Sequence, residues 1–100
     1  IFAHIPTRIE PREVPKIVRE LDQTTLVRAL AAPAEADAAA ADFILSNLSQ
    51  RMSDGLREER EALGKPRAKD VEEAMTEVVS AIRRLQEDGQ LVLKMPQDDE

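Results

Sequence analysis

Residues 70–89, DVEEAMTEVVSAIRRLQEDG, decide the fold class, because their apolar residues recur at alternating steps of four and three. These apolar residues are Val71, Met75, Val78, Ile82 and Leu85. At about 100° per residue they form one stripe, which predicts a long helix with a single buried face. Asp70 followed by Glu73 resembles a capping box at the start of this helix, and Gly89 is a typical end.

Residues 49–64, SQRMSDGLREEREALG, predict a second helix directly upstream of the first. Ser49 is a preferred N-cap residue, and Gly64 stands where helices commonly end. The residues expected to face the core are Met52, Leu56 and Leu63. They lie within about 40° of one another on a helical wheel, so a narrow apolar strip is predicted on a helix that is otherwise rich in charge.

Shorter helical patterns fill the chain upstream of these two helices. Residues 14–21 carry apolar side chains at helical spacing, with Pro15 in the first turn, where proline is tolerated. Asp22 is placed to cap a further short helix, and residues 34–48 form an alanine-rich one. These patterns predict an all-α fold, a compact orthogonal bundle of about five helices.

The predicted domain organisation has three parts. Residues 1–12 contain Pro6 and Pro11 and are expected to form an extended hinge segment. Residues 13–94 are expected to form the helical domain, and residues 95–100 a disordered tail.

Composition excludes several classes of function. The chain has 14 Lys and Arg against 20 Asp and Glu, and its net charge of -6 disfavours nucleic-acid binding. With no Cys and one His, neither a zinc site nor a nucleophile–base set can be assembled, so we expect no enzyme activity, no metal and no cofactor. No apolar run approaches the roughly 20 residues of a membrane-spanning helix. Absent cysteine and an absent signal pattern favour a cytoplasmic protein.

A row of mixed charge is predicted on the face of the 49–64 helix opposite its apolar strip. The members of this row are Arg51, Asp54 and Glu58. Glu59 lies nearer the core boundary, where we expect it to pair with Arg60 or Arg67. The row has two interpretations that the pattern leaves open. One is a solvated face, and the other is a surface for a partner of complementary charge.

Several blocks of the sequence resemble the C-terminal domain of the flagellar motor switch protein FliG. The blocks are 46–51 (SNLSQR), 56–67 (LREEREALGKPR), 70–74 (DVEEA) and 83–93 (RRLQEDGQLVL). The likeness covers about residues 10–93 in unbroken order. The chain is therefore identified as a member of this family.

The resemblance implies an armadillo-like fold and a non-enzymatic rotor component of the bacterial flagellum, acting in motility and chemotaxis. Its implied location is the cytoplasmic face of the inner membrane, at the basal body. The implied partners are the cytoplasmic loop of the stator protein MotA, the switch protein FliM and neighbouring FliG subunits in a ring. By position, the family's stator-facing charges correspond to Arg51, Glu58, Glu59 and Arg67. The family's hinge motif falls on Phe2 and His4.

Two positions depart from the family pattern. Ala31 stands where the family carries a basic residue of its charged set, and His4 stands where it carries a second aromatic. The first departure favours an alternative function, a scaffold module that joins a ring or adaptor through helix packing without generating torque.

Overall fold

A computed structural model describes residues 1–94 and contains six α-helices. They are α1 (Ile5–Arg8), α2 (Val14–Arg19), α3 (Gln23–Leu30), α4 (Glu35–Ser46), α5 (Gln50–Leu63) and α6 (Ala68–Glu87). Single 3-10 turns at Phe2–His4 and Pro11–Glu13 flank α1. No strand occurs among the described residues, so the all-α class is confirmed, with six helices instead of about five. The predicted tail at 95–100 lies outside the described residues.

Helix α6 supplies the largest buried face, and its stripe follows the predicted spacing. Its buried residues are Val71, Ala74, Val78, Ala81, Ile82 and Leu85. Met75 is only half-buried, and it packs against the edge of the core. The predicted start at Asp70 is wrong, because the N-cap is Arg67 and makes no side-chain capping hydrogen bond. Asp70 lies instead in the first turn, where a carboxylate interacts favourably with the helix dipole.

The first residues of the chain are folded into the core, and the predicted extended conformation of residues 1–12 is wrong. Phe2, Ile5 and Ile9 are at most 4% exposed. They belong to the same hydrophobic cluster as the long helices, and the Phe2–His4 turn packs against α4 and α6. Pro6 lies in the first turn of α1, where its missing N–H is not needed, so this proline starts a helix. A hinge role for this segment stays a prediction.

Helices α2 and α3 begin as the sequence predicts. Pro15 lies in the first turn of α2. Asp22 caps α3, since its Oδ2 accepts a hydrogen bond from the Thr25 backbone N–H at 3.1 Å and its Oδ1 accepts one from Thr25 Oγ1 at 2.9 Å. Helix α3 packs mainly against α6 and makes smaller contacts with α5 and α4. It therefore connects the charged helix α5 to the centre of the core.

The cap at Asp22 makes the stability of α3 dependent on pH. The two hydrogen bonds from Thr25 hold the pKa of the Asp22 carboxyl below its ordinary value of 3.8. A lowered folded-state pKa contributes stability that is present above the unfolded-state pKa and is lost as the pH falls through the folded-state pKa. We expect Asp22→Asn, which still caps a helix, to flatten the acid side of a plot of melting temperature against pH.

The matched control for this measurement is Asp42→Asn, which removes an exposed carboxylate from the middle of α4. Melting curves followed by circular dichroism, taken from neutral pH to well below the ordinary pKa of 3.8, follow the loss of this contribution. An Asp22→Asn curve with the same acid slope as the wild type would show that the carboxylate does not cap α3.

Candidate partner-binding surface

Helix α5 has the boundaries that the sequence predicts. The Oγ of Ser49 accepts a hydrogen bond from the Met52 backbone N–H at 3.2 Å, which satisfies one of the free amides of the first turn. The helix ends at Gly64, whose φ of 75° lies in the left-handed region that glycine adopts without strain. Both ends of the charged helix are therefore set by local residues.

The buried strip of α5 is narrower than predicted. Leu56 is 3% exposed and Ser53 is 6% exposed. Met52 and Leu63 were expected to face the core, but they are 42% and 39% exposed. Helix α5 lies at the edge of the bundle and packs chiefly against α3, so only its central line of side chains is covered. Two large apolar side chains consequently remain at its margins.

The row of Arg51, Asp54 and Glu58 is exposed, as the helical wheel predicts. Asp54 Oδ1 accepts a hydrogen bond from Gln50 Nε2 at 3.1 Å, one turn earlier. Within residues 1–94, neither the guanidinium of Arg51 nor the carboxylate of Glu58 has a hydrogen-bond or ion-pair partner. Both charges are thus fully available to a second molecule.

The other two candidate charges are occupied within the chain. Glu59 accepts a hydrogen bond from Gln23 Nε2 at the start of α3, so its predicted pairing with Arg60 or Arg67 is wrong. Arg67 lies 3.6 Å from the Asp70 carboxylate through its Nε, although its side chain is 88% exposed. The structure thus places Arg51 and Glu58 together on one face of α5. It places Glu59 against α3 and Arg67 at the start of α6.

Two further arginines of α5 carry contacts that the sequence analysis missed. Arg60 Nη1 donates to the Leu30 carbonyl oxygen at 3.1 Å and thereby caps the C-terminal end of α3. Arg57 Nε donates to Ser53 Oγ at 3.3 Å. A signal for Arg60 was present, because it lies one turn after Leu56 and therefore on the buried side of the wheel.

The predicted hinge residues lie in the first turn of the chain, outside α5. Phe2 is buried among core residues, and His4 is half-buried and lines an open pocket together with Arg8 and Arg83. No group of three His, Asp or Glu side chains in residues 1–94 is arranged to hold a metal ion. The charges of α5 are therefore the strongest candidate site.

Comparison with known proteins decides the family. The sequence-family model of the FliG C-terminal domain matches residues 1–93 of this chain. The chain belongs to the FliG C-terminal domain family. The FliG-family match extends to residue 1, about ten residues further than the sequence likeness alone. The predicted family and fold type are thereby confirmed.

Relatives in several bacteria support the FliG assignment. The flagellar motor switch protein FliG of Bacillus subtilis is 33% identical over 93 residues, which are 93% of this chain and 26% of that protein. The FliG of Borreliella burgdorferi is 36% identical over 85% of this chain and 24% of its own length. The chain therefore spans about a quarter of the length of these relatives.

A solved FliG structure has the same fold. The crystal structure of residues 116–343 of FliG from H. pylori superposes with a TM-score of 0.77 and 28% identity. The match covers 90% of this chain and 38% of that one. Because the relatives are flagellar motor switch proteins, the prediction that the chain is not an enzyme is confirmed. Among the described residues, no helix is both long and apolar enough to cross a membrane.

Proposed function

We propose that this FliG-family domain is the stator-facing part of a flagellar rotor and that α5 engages the cytoplasmic loop of the stator protein MotA. The observation that carries the proposal is the state of Arg51 and Glu58. Both are exposed on a helix whose two ends are locally capped, and neither has a partner within residues 1–94. Opposite charges on a partner loop could pair with them without breaking any contact inside the domain.

Exposed charges suit a contact that forms and breaks at every step of rotation. An exposed ion pair contributes about 0–1 kcal/mol, so each contact is weak. Charges on complementary surfaces chiefly raise the rate of encounter and set the register of approach. Glu59 and Arg67 have partners within the chain, so in this proposal they contribute to the surface charge around the row and Arg51 and Glu58 make the primary contacts.

The remaining parts of the proposal rest on family membership. They are an association with the switch protein FliM and with neighbouring FliG subunits in a ring, and a location at the cytoplasmic face of the inner membrane in the basal body. The FliG proteins of Bacillus subtilis and Borreliella burgdorferi are about three and a half times as long as this chain. The charged row of α5 supports only the proposed contact with MotA, and it says nothing about the other partners.

A scaffold without a torque role is the second candidate, and one observation favours it. Ala31 is the C-cap residue of α3 and carries no charge at the position where the family has a basic residue. If the domain were a scaffold, its apolar helix faces would be essential for assembly and the Arg51–Glu58 row would not. The same mutations separate the two functions.

The test reverses the charges of the row in the parent bacterium. We expect Arg51→Glu and Glu58→Lys each to reduce swimming speed markedly, because attraction to the stator loop becomes repulsion. The purified variants should melt within a few degrees of the wild type, since exposed substitutions of this kind change stability by about 0.5 kcal/mol or less. The matched control for Glu58→Lys is Glu87→Lys, which makes the same charge change on the exposed end of α6.

A reciprocal change in the stator loop identifies direct contact. Rescue of Arg51→Glu by a Lys or Arg that replaces one acidic loop residue, or of Glu58→Lys by the opposite change, supports the proposal. Full swimming speed in both single-reversal strains would exclude the row as the stator contact and favour the scaffold function.

A further inference from the structure

The two arginines on the α3 side of α5 are each held in place by one hydrogen bond. Arg57 donates through Nε to the buried Ser53 hydroxyl at 3.3 Å. Arg60 donates through Nη1 to the Leu30 carbonyl oxygen at 3.1 Å, and its side chain is half-buried. A guanidinium has five N–H donors, so most donors of each group remain for another ligand. Arg60 is therefore held against α3, whereas Arg57 is exposed and is oriented by a contact within its own helix.

These arginines share an open depression with two carboxylates. The depression has a volume of about 390 Å³ and is lined by Arg57, Glu58, Arg60 and Glu61. Although the carboxylates are close in sequence, no ion pair joins either arginine to an acidic side chain in the part of the chain that the structure describes. Neither guanidinium group is thus committed to an ion pair inside this part of the chain.

The helical wheel arranges the four charges in a fixed order. At about 100° per residue, the angular order of these side chains around the axis of α5 is Arg60, Arg57, Glu61 and then Glu58, with steps of about 40–60°. The half of the depression nearer α3 is therefore positive and the outer half is negative. A phosphate dianion in this depression would be repelled by the two glutamate carboxylates. A carboxylate side chain next to a basic side chain fits both halves, because the carboxylate can face the arginines and the basic group can face the glutamates.

We propose that Arg57 and Arg60 form a binding site for one carboxylate side chain of a protein partner that docks on α5. This inference rests on the proposed function, since it places an acidic side chain of the stator loop against the two arginines and its basic neighbour against Glu58 and Glu61. Guanidinium groups bind carboxylates through paired N–H donors. Because Arg60 is half-buried and bound to the Leu30 carbonyl oxygen, it loses little rotamer freedom on binding.

The experiment titrates the purified chain with the recombinant cytoplasmic loop of the parent organism's stator protein, by calorimetry at low salt. Arg57→Gln should weaken binding about tenfold, as expected for the loss of one charge-assisted contact. Arg12→Gln removes the same charge from an exposed turn outside the depression and should leave affinity within about twofold. Loop variants in which each Asp or Glu is changed singly to Asn or Gln then identify the bound carboxylate.

Arg57→Gln is the decisive variant because it leaves the bond between Arg60 and Leu30 intact. Arg60→Gln would also uncap α3 and lower the melting temperature, so Arg60→Lys, which retains the charge, accompanies it. One loop carboxylate whose removal weakens wild-type binding but has no further effect on Arg57→Gln supports the site.

The failure of this inference is distinguishable from that of the proposed function. Unchanged binding by Arg57→Gln, together with loss of binding in Arg51→Glu or Glu58→Lys, overturns the carboxylate site and leaves the proposed function standing. Unchanged binding by all three variants, or no saturable binding by the wild type, overturns both.

Discussion

We expect Phe2→Ala to lower the free energy of unfolding by about 3–5 kcal/mol, the usual effect of removing a buried aromatic side chain. Phe2 is 4% exposed and belongs to the central hydrophobic cluster, where its turn packs against α4 and α6. A domain of this size has a total stability of about 5–15 kcal/mol, so the loss is a large fraction of it. Urea unfolding followed by circular dichroism measures the change.

The adjacent residue provides the control. Ile1 is 78% exposed, so Ile1→Ala should change the free energy of unfolding by no more than about 0.5 kcal/mol. If Phe2→Ala behaved like Ile1→Ala, the first turn would not be docked on the domain in solution. The segment would then be the extended hinge that the two prolines suggest.

Truncation of Ile82 should have an effect of similar size. Ile82 is 6% exposed on the central stripe of α6, and Ile82→Ala removes three carbons from a site enclosed by other helices. We expect a loss of about 2–5 kcal/mol, depending on how far the neighbouring side chains close the cavity. Urea unfolding provides the value, and an unchanged m-value confirms that the same surface unfolds.

Glu77→Ala is the control for Ile82→Ala, because Glu77 is exposed on the same helix and alanine is a good helix former. The control should melt close to the wild type. If Ile82→Ala also melted within a degree or two of the wild type, Ile82 would not lie on the buried face of α6, and the register assigned to this stripe would be wrong.

The elements that sequence predicts well are those fixed by contacts within a few residues. Ser49 and Asp22 cap helices because their side chains reach a backbone N–H three residues away. The stripe of α6 repeats over about four turns, which is long enough for the spacing to be unmistakable. For the same reason the exposed positions of Arg51 and Glu58 follow from the helical wheel alone.

What the sequence does not predict depends on which elements lie against each other. Phe2, Ile5 and Ile9 have the spacing of a helix face, but the prolines and the short length favour an extended segment until a core surface is available to cover it. The wheel places Met52 and Leu63 beside Leu56 without showing how wide a strip α3 covers. The bond from Arg60 to Leu30 joins residues thirty positions apart, which no local pattern indicates.

The contacts of Glu59 and Arg60 also have a mechanical consequence. These adjacent residues hold the two ends of α3, since Glu59 binds Gln23 at its start and Arg60 binds the Leu30 carbonyl at its end. Helix α3 has eight residues and is about 12 Å long, so a single turn of α5 is joined to two separated points on α3. A sideways force on Arg51 or Glu58 would therefore reach both ends of α3 through this one turn of α5, and from α3 it would pass to α6, against which α3 packs.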